Sequence, residues 1–167
     1  MNEHRLLKLS IILNYLNLSV NETLHKAAEG ASVRDGMDMS ICALNTKTLE
    51  LHWAGANNPI WYIKNNELAE IKADKQPIGK YENRKPFTHH SVQLQTGDRI
   101  YLFTDGYADQ FGGPKGKKFK YNQLNELLLS INSSDLTQQQ SKLSGVFDAW
   151  KGELEQVDDV LVVGIKV

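Results

Sequence analysis

The chain has 167 residues, with 19 Lys and Arg against 20 Asp and Glu and a net charge of −1. That length makes one domain with a real core, and the 41% hydrophobic and 23% charged fractions exclude a disordered or fibrous chain. The near-zero charge argues against nucleic acid or an anionic membrane as partner, since both need a basic excess.

No apolar run approaches the ~20 residues of a membrane span. The start, Met1 to Leu16, interrupts its apolar residues with charges and asparagines, and no small-residue cleavage site follows it, unlike a secretory signal. A single cysteine, Cys42, excludes an internal disulfide and a cysteine-rich zinc site. It lies in an apolar strand and is expected to be buried and inert; a reducing, cytoplasmic setting fits the chain best.

The first element in chain order is a helix. Ile12, Leu16, Val20 and Leu24 recur at helical spacing over Ser10–Lys26, with Ser10 as the expected N-cap and Gly30 just past the end. From Met37 the texture changes to short β-type runs: Met39–Leu44, Leu49–Ala56, Ile60–Lys64, Leu68–Ile71, His90–Leu94 and Arg99–Thr104. Asn, Gly and Asp turns punctuate them, which predicts an antiparallel sheet or sandwich. The continuous apolar run Tyr101–Phe103 fits a strand covered on both faces. After Gly106 a Gly- and Lys-rich stretch to Lys120 reads as an exposed loop. Helices are predicted over Tyr121–Ser130 and Leu136–Lys151, the second opened by Asp135 or Ser134 as cap. Val160–Val167 reads as a final buried strand. Helix, many strands, two helices and a strand make an α+β layered domain, with no internal repeat or linker.

Two acidic features could carry chemistry. In Leu102–Gln110 an apolar strand ends in Thr-Asp-Gly, leaving Asp105 at the strand tip with Gly106 to allow a sharp turn. Near the end, Asp158 and Asp159 adjoin the last strand, where neighbouring side chains point to opposite faces. If one of them meets Asp105 across the sheet, two like charges need a proton or a cation between them. Oxygen-only ligation then points to a hard ion, Mg²⁺ or Mn²⁺. The plainer reading is a turn and a solvated edge, and spacing alone favours it.

Other features read more simply as structure. Trp53–Tyr62, closed by Asn57, Asn58 and Pro59, is expected to be a corner between two paired strands, with a ligand-approaching loop as the alternative. The four lysines of Gly112–Lys120 could attract a phosphorylated partner but fit a solvated loop. Of His89 and His90, one is expected to point inward and one outward. Trp53, Trp61 and Trp150 read as packing residues.

Taken in order, Asp35–Leu44, Trp53–Ile63, Gln76–Gly79, Thr96–Gln110 and Val157–Val167 resemble successive motifs of the SpoIIE-type phosphatases. These form the bacterial branch of the metal-dependent (PPM, type 2C) protein phosphatases. The resemblance runs from the first helix to Val167, and the collinear order favours the functional reading of both acidic features. It implies one domain over residues 1–167, α+β, a PPM-type β-sandwich flanked by helices and incomplete at its N-terminus. It implies a binuclear Mn²⁺/Mg²⁺ site that activates a water to attack phosphoserine or phosphothreonine directly.

The implied partners are a phosphorylated protein, such as an anti-sigma-factor antagonist, and an upstream sensor module, which could be membrane-linked. By motif, Asp105 and Asp158 match metal-binding aspartates, Gly106 and Asp159 support them, and Asp38 is a weaker supporting candidate. Two departures stand out. Ala56 occupies a position where the family usually carries His. The Gly-Asp and Asp-x-x-Gly-His-Gly-like segments that supply the bridging acid and a further ligand have no counterpart. The expectation is therefore a fragment with weak metal binding and little activity, or a phosphatase-like binding module, with unpaired sheet edges that favour a homodimer.

Overall fold

The computed structural model describes residues 8–27, 36–79 and 84–167. Its elements in order are α1 (Leu9–Ala27), β1 (Gly36–Met37), β2 (Met39–Leu44), β3 (Glu50–Ala56), β4 (Ile60–Lys64), β5 (Glu67–Ile71), β6 (Ile78–Gly79), β7 (His90–Gln93), β8 (Arg99–Phe103), α2 (Gly106–Asp109), β9 (Phe111–Gly112), β10 (Lys117–Lys118), α3 (Tyr121–Ser130), α4 (Leu136–Lys151) and β11 (Val162–Lys166). They divide into two compact units, Met1–Ile60 with Ile71–Leu94, and Trp61–Glu70 with Gln95–Val167. Gly30 and Asp35 fall outside the described residues.

The first unit is built on the sheet β2-β3-β7, antiparallel throughout, with Cys42 opposite Trp53 and Trp53 opposite His90. α1 lays Leu9 and Leu13 on Ala54, Ala56, Ile78 and Phe87, with Leu16 and Val20 continuing the stripe one and two turns on. Each such side chain taken from water contributes about 1.5–3 kcal/mol. The helix also supplies polar anchors. Asn17, buried on the same element, accepts from the Gly79 amide at 2.9 Å, and Asn14 accepts from the Phe87 amide at 3.0 Å. Ser10 is not the cap but a buried residue inside the first turn, because the helix begins at Leu9.

The second unit holds the sheet β11-β8-β4-β5. Tyr101 and Phe103 of β8 and Trp61 and Ile63 of β4 pack with Leu124 and Leu128 of α3 and Leu143 and Phe147 of α4. Asp135 caps α4 by accepting from the Gln138 amide at 2.8 Å, as serine, threonine and aspartate caps do. Within the core Tyr101 donates to Gln139 and Tyr107 to the Leu143 carbonyl, both at 2.8 Å. Burial pushes both phenols above their ordinary pKa, Tyr107 the further, so they stay protonated as donors.

Two sequence expectations change here. The Trp53–Tyr62 corner does not join paired strands: β3 pairs with β2 and β7, whereas β4 lies between β8 and β5. Asn57 sits at φ 59°, and its amide bonds the Asp74 carbonyl at 2.9 Å, so the chain leaves β3 in a left-handed turn instead of reversing onto it. The terminal strand is shorter and less covered than expected. β11 starts at Val162, is the edge of its sheet among the described residues, and leaves Leu161 56% and Val163 38% exposed.

Candidate functional site

β8 delivers Asp105. Its buried residues Arg99–Tyr101 and Phe103 fix the strand, and the chain leaves the sheet at Thr104. Asp105 is exposed and occupies the cap position of α2, but its side chain makes no capping bond there. Its carbonyl accepts from the Asp109 amide at 2.9 Å, which closes the single helical turn.

Asp158 and Asp159 reach the same end of β8. The register that puts Val162 opposite Phe103 continues past the strand through Thr104. Its amide bonds the Leu161 carbonyl at 3.1 Å, its hydroxyl donates to the Asp159 carbonyl at 2.8 Å, and the same oxygen accepts from the Leu161 amide at 3.0 Å. The threonine hydroxyl thus replaces a ladder partner, so the two aspartates lie in an exposed segment that bends at Asp158 ahead of β11, not in a buried strand. Asp158 turns one carboxylate oxygen back onto the Asp159 amide at 2.7 Å, and its carbonyl accepts from Gln156 at 2.7 Å.

Gly106 is required by proximity. A Cβ there would sit 2.5 Å from the Asp159 carbonyl oxygen and 3.3 Å from that of Asp158. The expectation that this glycine serves a special bend is corrected: it is the first residue of α2 and is absent from the positive-φ glycines. What needs it is the backbone of the acidic segment passing against its α-carbon. The main chain at Asp105, next to Gly106, therefore runs close to the backbone of Asp158–Asp159. Asp38 belongs to the first unit, where it accepts from Asn57 Nδ2 at 2.7 Å.

Sequence reasoning missed Gln110. It is fully buried; its Nε2 donates to the Glu155 carbonyl at 2.9 Å, its Oε1 accepts from the Val157 amide at 3.3 Å, and its backbone carbonyl accepts from Trp150 Nε1 at 3.1 Å. One side chain thereby holds the segment that leads into Asp158. The sequence around it, Tyr-Ala-Asp-Gln-Phe-Gly-Gly, does not tell burial from exposure.

Oxygen donors of this kind suit a hard dication such as Mg²⁺ or Mn²⁺. Their number does not complete a site: among the described residues no group of three or more His, Cys, Asp or Glu side chains is placed to hold a metal ion.

The family model for stage II sporulation protein E (SpoIIE) matches residues 3–167. No curated protein matches the sequence. Among solved structures, the chain is similar to the PP2C domain of SiaA from Pseudomonas aeruginosa, with a TM-score of 0.84 at 23% identity over 95% of this chain and 60% of that one. It is similar to the Mn-presoaked phosphatase domain of SpoIIE from Bacillus subtilis, at TM-score 0.61 and 15% identity over 100% of this chain and 74% of that one. It is also similar to the serine/threonine phosphatase PstP/Ppp of Mycobacterium tuberculosis, at 0.60 and 13% over 89% and 66%. The chain thus spans 60% of the SiaA domain's length. With its α+β architecture of antiparallel sheets, the chain belongs to the SpoIIE family and has the fold of a PP2C-type phosphatase domain.

Proposed function

We propose that this chain is the C-terminal part of a cytoplasmic signalling phosphatase that hydrolyses phosphoserine or phosphothreonine on a regulatory protein, with Mn²⁺ or Mg²⁺ as cofactor. The observation that carries the reading is the meeting of the Asp105 turn with Asp158–Asp159, in a family of phosphatases. Bound metal ions in such sites supply an activated water and neutralise phosphate charge. The contribution of this chain is positional. Thr104 and Gly106 hold the acidic segment against the end of β8, and Gln110 fixes the run into it. Asp105 and Asp158 are the proposed ligands and Asp159 orients the segment; Asp38 is the weaker supporting candidate. A phosphorylated anti-sigma-factor antagonist is the proposed class of substrate, under an upstream sensor module.

Two acidic arms without a third carboxylate bind a dication weakly, so the chain by itself is expected to show little turnover. Calorimetric titration with Mn²⁺ tests this together with assay on a phosphoserine peptide. Weak binding that drops further in Asp105→Asn and Asp158→Asn is the expected result. Mn²⁺ affinity indifferent to both substitutions would overturn the ligand assignment, and robust turnover abolished by Asp105→Asn would overturn the inactivity of this chain. The same shortfall of ligands among the described residues favours, as a second reading, a phosphatase-like module that binds a partner without hydrolysis. Full-length protein that binds the phosphorylated partner yet leaves it phosphorylated in Mn²⁺ would support that one.

A further inference from the structure

Lys115, Lys117, Lys118 and Lys120 fall within six residues of a chain whose net charge is −1. They sit on a hairpin, β9 against β10, with Lys117 opposite Gly112 and Lys118 opposite Phe111. Gly113 and Gly116, at φ 65° and 57°, turn it. The hairpin is fixed to the end of α4. The Gly113 amide donates to the Trp150 carbonyl at 2.8 Å, and a Cβ on Gly112 would overlap that carbonyl. The indole is held in turn by its bond to the Gln110 carbonyl and by Phe119, edge-on at 5.2 Å. Between hairpin and helix lies an open cavity of about 270 Å³, walled by Pro114 and Trp150 and rimmed by the four lysines.

The lysines are not equivalent. Lys118 pairs with Asp109 at 2.8 Å and lies 5.8 Å above the Phe111 ring, so its charge is already answered. Lys115, Lys117 and Lys120 are exposed and have no ion-pair partner among the described residues. Lys120 is also held at φ 73° and ψ 150°, a backbone region that glycine alone adopts without cost. Its amide bond to the Ala108 carbonyl at 2.6 Å and that of Phe119 to Gln110 at 2.9 Å impose the conformation. A glycine would relieve it, so the lysine occupies this position at a cost in backbone strain.

We infer that this hairpin and Trp150 form a docking cradle for an acidic protein segment that seats an apolar side chain on the indole and its carboxylates on Lys115, Lys117 and Lys120. Under the phosphatase reading, on which only this identification rests, the segment belongs to the phosphoprotein substrate. The cradle is close to the candidate site: Lys118 grips Asp109, whose amide bonds the Asp105 carbonyl. A single pre-positioned indole beside a side-chain-sized cavity fits a peptide better than a polynucleotide, which needs successive stacking platforms. It also fits better than a membrane surface, which needs a broad basic face.

The test is fluorescence anisotropy on the full chain with a labelled glutamate-rich peptide carrying one phenylalanine, without metal or phosphate. Its lysine-rich counterpart, a single-stranded oligonucleotide and phosphatidylserine vesicles are the other arms. Tryptophan emission is the second readout, since Trp53 and Trp61 are 1% and 4% exposed and Trp150 is the indole left half-buried. The glutamate peptide is expected to bind and shift the emission, and Lys115→Gln/Lys117→Gln to weaken it about tenfold. Lys120→Gly is expected to raise Tm while lowering peptide affinity, a pairing of opposite signs that a merely structural lysine would not give. Unchanged affinity in these variants would overturn the cradle, as would tighter binding of the oligonucleotide or vesicles. Because neither metal nor turnover enters the measurement, its failure leaves the phosphatase reading standing, and the reverse holds too.

Discussion

Each unit sets two ionisable residues of one kind side by side, and handles them in opposite ways. In the first, His52 and His89 stack with ring centroids 5.3 Å apart and Nδ1 of His52 lies 3.2 Å from Nε2 of His89. His52 is 6% exposed, and the outer nitrogens of the pair, His52 Nε2 and His89 Nδ1, are buried without a hydrogen-bond partner. In the second, Asp158 and Asp159 are exposed, and what is fixed is their backbone, through Thr104, Gly106 and Gln110. Packing two imidazoles disfavours a second charge. Pinning the main chain instead leaves the carboxylates facing water, where an incoming cation can reach them. The difference separates a pair settled by packing from a pair left open to solvent.

The contrast breaks most severely at Gly106. With 2.5 Å between an added Cβ and the Asp159 carbonyl, and main chain on both sides, Gly106→Ala must separate the acidic segment from α2. We expect a loss of about 3 kcal/mol, the upper range for overpacking, and a Tm lower by roughly 6–12 °C. Gly145→Ala is the control: nothing lies within 4 Å of a Cβ in that exposed helix interior, so it should gain about 0.5–1 kcal/mol. Thermal unfolding of both variants checks the pair. A Gly106→Ala protein as stable as the parent would mean that the acidic turn is not locked by this approach.

How far the sequence reveals these features follows from what each depends on. α3 and α4 are predicted to the residue because their apolar spacing and the Asp135 cap are local. β2 and β4 likewise carry their own boundaries in turn residues. Asp105 and Asp158 are legible as a motif, but the reason for Gly106 is not, since the atom that excludes a side chain lies more than fifty residues away. Gln110 fails for the same cause. β11 is expected to be buried because Val160–Val167 is apolar, yet apolarity reports what a strand tolerates and not what covers it. The lysine hairpin reads as solvated, and its lysines are exposed. What composition omits is the wall of Trp150, contributed by a helix thirty residues on.

Gln110→Met sharpens the comparison with a smaller effect. The change keeps the volume but leaves the Glu155 carbonyl and Val157 amide without their partner. Both bonds are part-buried and reach exposed residues, so their loss costs about 0.5–1.5 kcal/mol each, and we expect about 1–2 in all. The loss should be local as well as global: hydrogen exchange at Val157 should accelerate more than at β8 amides. Mn²⁺ affinity should fall although no proposed ligand is changed. Equal exchange at both places would make Gln110 an ordinary core residue and not the holder of the acidic segment.

The smallest effect tests the histidine side. Burial, then the neighbouring His52, Lys8 and His90, push the His89 pKa below its ordinary 6.5, with Glu50 opposing them. A group whose folded pKa is lowered binds fewer protons folded than unfolded. Stability from neutral His89 is therefore complete above pH 6.5 and declines as pH falls from there toward the lowered value. Because His89 is only half-buried, solvent screens the effect and it should be slight. His89→Gln is expected to remove that part of the acid slope below about pH 6.5 in denaturant titrations. An unchanged slope in His89→Gln would mean that the imidazole pair does not resist protonation, and both units would then treat their paired groups alike.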